Sequence, residues 1–369
     1  MAVKRVKRAY RARTLLTDIL RTPTAISHLA KRDWETLIWQ ARAAELLGQL
    51  RHRLTTTVPN TDIPIQVARH LDAAWKIALL HDQAVRYELL HLQDALLEQG
   101  IPVVLLKGAA YCAQKADAAT GRVFNDIDIL VPKGALVDSE KRLLGAGWIP
   151  SHLNAYDQRY YREWMHEIPP MEHKNRSTVL DVHHTIVPPT SGIRPDPDLL
   201  IESSVRVDDP ELLFFKVLNP EDMVIHSASH LFFGEFHKGL RDLYDLHSLF
   251  VQFSTNDGFW ERLLARADEL HLTEPVLDAL SESSRLFGTA IPEDIFKRIE
   301  GRCGALSTHR WRGWLFEQAL RPNHPSAHDS MTSVAQWLIF ARSHWLRMPL
   351  PLLAYHLGHK ALFRDAKSK

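Results

Sequence analysis

The spacing of apolar residues divides the chain into three stretches. From 14 to 100 it is helical: Leu29, Trp34, Leu37, Ile38, Ala41, Leu46 and Leu50 recur at roughly three- and four-residue intervals, as on helices that bury one stripe. Pro59 and Pro64 mark a loop. A second helical run, one helix or two, follows and stops at Gly100, a residue suited to a helix C-terminus. The period then changes. "IPVVLL" (101–106) reads as a short buried strand, and a helix is expected to open directly after Gly108. "DIDILV" (126–131) reads as a second strand, stopped by Pro132. An amphipathic helix follows, with Leu136, Val137, Leu143 and Leu144 inward, and "WIPSHL" suggests another strand. "HEIPPMEHKNRSTVLDVHHTIV" reads as a hairpin turning at Lys174-Asn175-Arg176-Ser177. Beyond the Pro-rich segment 188–198 the spacing is helical again, ending in a Trp-rich apolar stretch that reads as a packed cap. The expectation is an α+β protein: an N-terminal helical region (1–100), an α/β core (101–190) and a C-terminal helical domain (191–369).

Composition changes this picture little. Of 369 residues, 45 are Lys or Arg and 44 Asp or Glu, a net charge of +1. Such a balance supplies no bulk attraction to nucleic acid or an anionic membrane. Six basic side chains, Lys4, Arg5, Lys7, Arg8, Arg11 and Arg13, crowd the N-terminus and read as a solvated basic end, with an anionic-partner tail as the alternative. Cys112 and Cys303 are far apart, which argues against a disulfide framework or a cysteine zinc site and suits a reducing cytoplasmic setting. No apolar run reaches the roughly 20 residues of a membrane span.

The chemistry concentrates in "RVFNDIDILVPKG". In a strand, residues two apart share a face, so Asp126 and Asp128 point one way and Ile127 and Ile129 the other. Two neighbouring carboxylates in an apolar run repel unless a cation joins them or one is protonated. Mg²⁺, an oxygen-seeking ion often shared with substrate phosphates, is the usual answer. Asp181, on "VLDVHHTI", shares a face with His183 and would complete a three-carboxylate site if that strand lay beside the first; Glu172 is the nearest rival acid. Lys107 and Gly108 sit where strand meets helix, a place suited to phosphate, and Arg122 is a second candidate phosphate contact. His183 is open as a base, an acceptor contact or a core histidine. His226 and His230 share a helix face but lack a metal-binding signature, so packing or cleft lining is expected. Arg241 and Asp245 form an i,i+4 pair expected to brace the helix or the domain contact.

Taken in order, "LLKG" at 105–108, Arg122, "DIDILV" at 126–131, "LDVHH" at 180–184, "NPEDMVIH" at 219–226 and "LRDLYDL" at 240–246 resemble an uncharacterised bacterial nucleotidyltransferase family of the polymerase-β-like superfamily. The chain departs from the wider superfamily in having Lys-Gly where Gly-Ser or Gly-Gly follows the first strand. The resemblance implies a polymerase-β-like core and a two-metal transfer of a nucleoside monophosphate from an NTP, with release of pyrophosphate. It implies Asp126, Asp128 and Asp181 as catalytic metal ligands for Mg²⁺ or Mn²⁺, and Lys107, Gly108, Arg122 and His183 on the nucleotide (ATP or another NTP). The acceptor class stays open among a small molecule, a peptide, a tRNA end and a protein side chain. A metal-dependent phosphohydrolase and a catalytically inactive binding protein are the alternatives.

Overall fold

The computed structural model describes residues 12–151, 154–302 and 306–363. Most of the basic N-terminal cluster, Lys4 to Arg11, lies outside these, as does Cys303; Arg13 is described and pairs with Asp329 at 2.8 Å.

Seven short strands form one mixed sheet: β1 (Val104–Leu106), β2 (Asp126–Leu130), β3 (Trp148–Pro150), β4 (Met171–His173), β5 (Val179–His183), β6 (Val205–Arg206) and β7 (Lys216–Val217), in the order β3-β4-β5-β2-β1-β7-β6. Together with the surrounding helices this is an α+β architecture. β2 is central, antiparallel to β1 and parallel to β5. Ile127 and Ile129 are buried on one face and Asp128 on the other, so the alternation read from the sequence holds. The register sets Asp128 directly opposite Asp181 and Asp126 opposite Val179.

Helices enclose the sheet. The run before Gly100 is a single helix, Ile65–Leu96, closed by a 3-10 turn and by Gly100 at φ +65°. The predicted hairpin forms between β4 and β5, with Ser177 in the left-handed region. Three local expectations need correcting. On the helix Leu136–Gly145, Leu143 is buried as expected, but Val137 and Leu144 are exposed. The helix after β1 begins at Lys107, not after Gly108, and runs to Ala113. The segment after 190 is not purely helical, because β6 and β7 extend the sheet beyond β1; strands of two residues carry no readable period.

One continuous set of buried side chains runs from Leu15 through the sheet to Ile339. The N-terminal helices join it by close packing. At the seam between helix Leu47–Thr57 and the loop before β2, a Cβ on Gly48 would lie 2.2 Å from the Gly121 carbonyl oxygen, so only glycine fits. Among the described residues no helix is long and apolar enough to cross a membrane.

Candidate active site

The end of β2 opens into a cleft of about 160 Å³ between the sheet and two helices, Pro220–Phe233 and Gly239–Phe253. Lys107, Gly108, Arg122, Asp126 and Asp128 line it from the sheet side; His230, Lys238, Arg241, Asp242 and Asp245 line it from the helices.

Asp128 is the buried centre of the sheet wall. The Lys107 ammonium donates to its Oδ1 at 2.7 Å, and His183 Nε2 lies 3.0 Å from the same oxygen. Burial alone would raise the Asp128 carboxyl, but Lys107 and His183 overcome it and hold the group well below the usual carboxylate range. Lys107 reaches this position from a left-handed backbone, φ +43°, unusual for a side-chain-bearing residue and the kind of strain that gathers at functional sites. Asp126 is exposed at the rim, yet the surrounding protein and the neighbouring Asp128 charge raise its carboxyl.

Asp181, across the register from Asp128, has a different environment. Burial, then Glu167 and Asp128, push its carboxyl up to about 8. Its Oδ1 is buried without a hydrogen-bond partner among the described residues. The sheet therefore brings Asp126, Asp128, Asp181 and His183 onto one face, with Lys107 above them. Glu172, the rival acid, is exposed on β4 opposite Val179.

Glu167 was not singled out by the pattern of the chain. It forms an isolated antiparallel bridge with His183, although the β4–β5 register would set residue 168 opposite His183. The one-residue slip falls at Ile168-Pro169-Pro170. Proline lacks the N–H a ladder needs, so a double proline is where a strand pair bulges and re-aims a side chain. Glu167 is thereby brought beside the site, its Oε2 3.4 Å from His183 Nε2.

The remaining expected residues are bound up in structure. Gly108 lines the cleft, but a Cβ there would meet the Phe124 ring at 2.5 Å, so packing by itself requires glycine. Arg122 lies across Tyr111 and Phe124 and pairs with Asp245 at 2.5 Å, so its guanidinium is engaged rather than free. The expected Arg241–Asp245 pair does not form. Arg241 instead holds Asp242 at 2.8 Å and Glu45 at 2.7 Å, because Arg122 and Gln49 take Asp245. Burial pushes Asp245 up to about 7 against the pull of Arg122 and Arg241. His230 opens onto the cleft, where the Lys107 charge lowers its pKa, while His226 is buried behind it. A wider groove of about 780 Å³, lined by Trp34, Trp39 and Val67 on the N-terminal helices, has no carboxylate cluster.

With this geometry in view, the comparison with protein families is decisive. The pattern of a family described as "Uncharacterised nucleotidyltransferase" matches residues 30–288, more than half the chain. The chain belongs to this family. The matched nucleotidyltransferase segment contains the whole cleft and also the N-terminal helices that brace it through Glu45 and Gln49. None of the curated proteins compared matches the chain.

Proposed function

We propose that this nucleotidyltransferase, with a polymerase-β-like core, moves a nucleoside monophosphate from an NTP to a hydroxyl of an acceptor and releases pyrophosphate. The observation that carries the reading is the Asp126, Asp128 and Asp181 face set by the β2–β5 register, two of whose carboxylates, Asp126 and Asp128, line the cleft. These residues suit Mg²⁺ or Mn²⁺: all donors are oxygens, and a buried Asp181 oxygen has no partner among the described residues. When bound, the divalent ions supply charge that acidifies the acceptor hydroxyl and stabilises the departing pyrophosphate.

The chain's own residues do the rest. Lys107 is a cation already inside the site; moving from Asp128 to a phosphate oxygen would exchange one anionic partner for another. Asp181, across the register from Asp128 with a buried oxygen that has no partner among the described residues, would take the cation on the acceptor side and, once that cation displaces its proton, is placed to accept the proton of the acceptor hydroxyl. Arg122 contributes as the fixed wall behind the phosphates, immobilised by Asp245 and two rings. The cleft is smaller than the roughly 300–1,000 Å³ of pockets that enclose a whole ligand. It suits the triphosphate, with sugar and base toward its open side.

The test is incubation of the full chain with NTPs labelled at the α-phosphate, Mg²⁺ and pools of small molecules, peptides or tRNA. The reading expects pyrophosphate and α-label on one acceptor class. Release of inorganic phosphate alone would indicate a phosphohydrolase instead.

A further inference from the structure

The sheet wall holds a second group of potential ligands, two of which, His166 and Glu167, the nucleotidyl-transfer reading does not use. His166, Glu167 and His183 each offer one donor atom, all within 4.8 Å of one another. Glu167 Oε2 lies 3.4 Å from His183 Nε2 and 4.0 Å from His166 Nε2. Bonds of about 2.0–2.1 Å to a tetrahedral ion would separate neighbouring donors by about 3.3 Å. One edge of the triangle already has that length, and the others close by small side-chain movements. The two imidazoles lie with centroids 5.0 Å apart and planes inclined by 40°, so both can turn toward a common point.

A second observation makes this more than proximity. The His183 side chain is only 1% exposed, and its Nε2 faces two carboxylates, Asp128 and Glu167. A single imidazole N–H cannot serve both fully. Lys107 is committed to Asp128, and Asp181 alongside has an oxygen without a partner. His166 Nδ1 and His183 Nδ1 are also buried without partners among the described residues. Asp128 has Lys107 as an ion-pair partner, whereas Glu167 has no lysine or arginine partner among the described residues. The Pro169-Pro170 bulge is what brings Glu167 there.

We propose that His166, Glu167 and His183 form a site for one divalent transition metal of the Zn²⁺ or Co²⁺ class, distinct from the oxygen-only carboxylate site. Two imidazoles and one carboxylate favour such borderline ions over Mg²⁺, which selects oxygen donors. Three protein ligands leave at least one position open, toward Asp128 and Asp181. The site would place a second class of cation beside the carboxylates and fix His183 in orientation.

The experiment is metal binding without nucleotide, so it stands or falls apart from nucleotidyl transfer. The full chain, stripped with EDTA, is titrated with Co²⁺ and followed by visible absorption and equilibrium dialysis. With millimolar Mg²⁺ present throughout to occupy the carboxylate face, one equivalent is expected, with d–d bands of an imidazole-containing site, displaced by Zn²⁺. Asp126→Asn should leave it intact. His166→Gln and Glu167→Gln should each weaken it by at least about tenfold, with thermal melts checking that each variant is folded. Absence of Co²⁺ binding in the folded wild type would overturn the proposal. So would binding that Asp126→Asn abolishes while His166→Gln leaves it unchanged.

Discussion

The two walls of the cleft treat acidic side chains in opposite ways. On the helical wall, Asp242 and Asp245, with Glu45 of the N-terminal helical region beside them, are met by Arg241, by Lys238 and, from across the cleft, by Arg122, and each acid has a cationic partner within 2.8 Å. On the sheet wall, of Asp126, Asp128, Asp181 and Glu167 only Asp128 contacts a lysine or arginine, Lys107, among the described residues. Both walls bury carboxylates, at a desolvation cost. Only the helical wall balances them within the protein. A wall that is balanced holds shape; a wall that is short of positive charge is where the proposed reading puts the cation.

The largest effect should come from the sheet wall. Asp128→Asn is expected to lower transfer by about 10³-fold or more, the loss of several kcal/mol of charge stabilisation, while circular dichroism stays native. Near-normal pyrophosphate release from this variant would erase the distinction between the walls. The helical wall should respond in stability instead. Arg122→Ala removes the partner of Asp245, a pair that is 10% and 3% exposed, and should cost about 3–5 kcal/mol in denaturant unfolding. A loss well under 1 kcal/mol would mean that this wall is not held by its pairs.

A smaller effect distinguishes the walls by pH. The Asp181 carboxyl is raised to about 8 in the fold, from 3.8 unfolded. The folded state therefore binds the proton more tightly. Stability from this group is complete below pH 3.8 and is lost as pH rises toward 8. In EDTA, Asp181→Asn should flatten that decline and melt above wild type at pH 8 by about 2–4 °C. Equal melting temperatures at pH 8 would show that Asp181 is not crowded by its neighbours. The smallest expected effect is steric. Gly108→Ala should destabilise by about 1–3 kcal/mol through contact with Phe124, and Phe124→Leu in the same chain should recover part of it. Failure to recover would move the role of Gly108 from packing to the ligand.

Much of the sheet wall was legible because it rests on period-two alternation. Asp126 and Asp128 share a face by spacing alone, and the turn at Lys174–Ser177 made it reasonable to lay Asp181 beside them. Glu167 was not legible, since alternation assumes an unbroken ladder and its position depends on the slip at Pro169-Pro170. The clue was the double proline between a glutamate and a strand. The helical wall was misread for a related reason. Spacing along one helix proposed Arg241 with Asp245, but Arg122 and Gln49 arrive from distant segments and take Asp245 first. Strands β6 and β7 were too short to have a pattern at all.

The central claim is the proposal that the sheet wall lacks positive charge until Mg²⁺, arriving with the triphosphate it neutralises, supplies it. Calorimetry of the full chain with a non-hydrolysable NTP tests this directly, with and without Mg²⁺ and in Asp128→Asn. The account predicts saturable binding that requires Mg²⁺ and is lost in the variant. Binding of equal strength without Mg²⁺, or in Asp128→Asn, would contradict it.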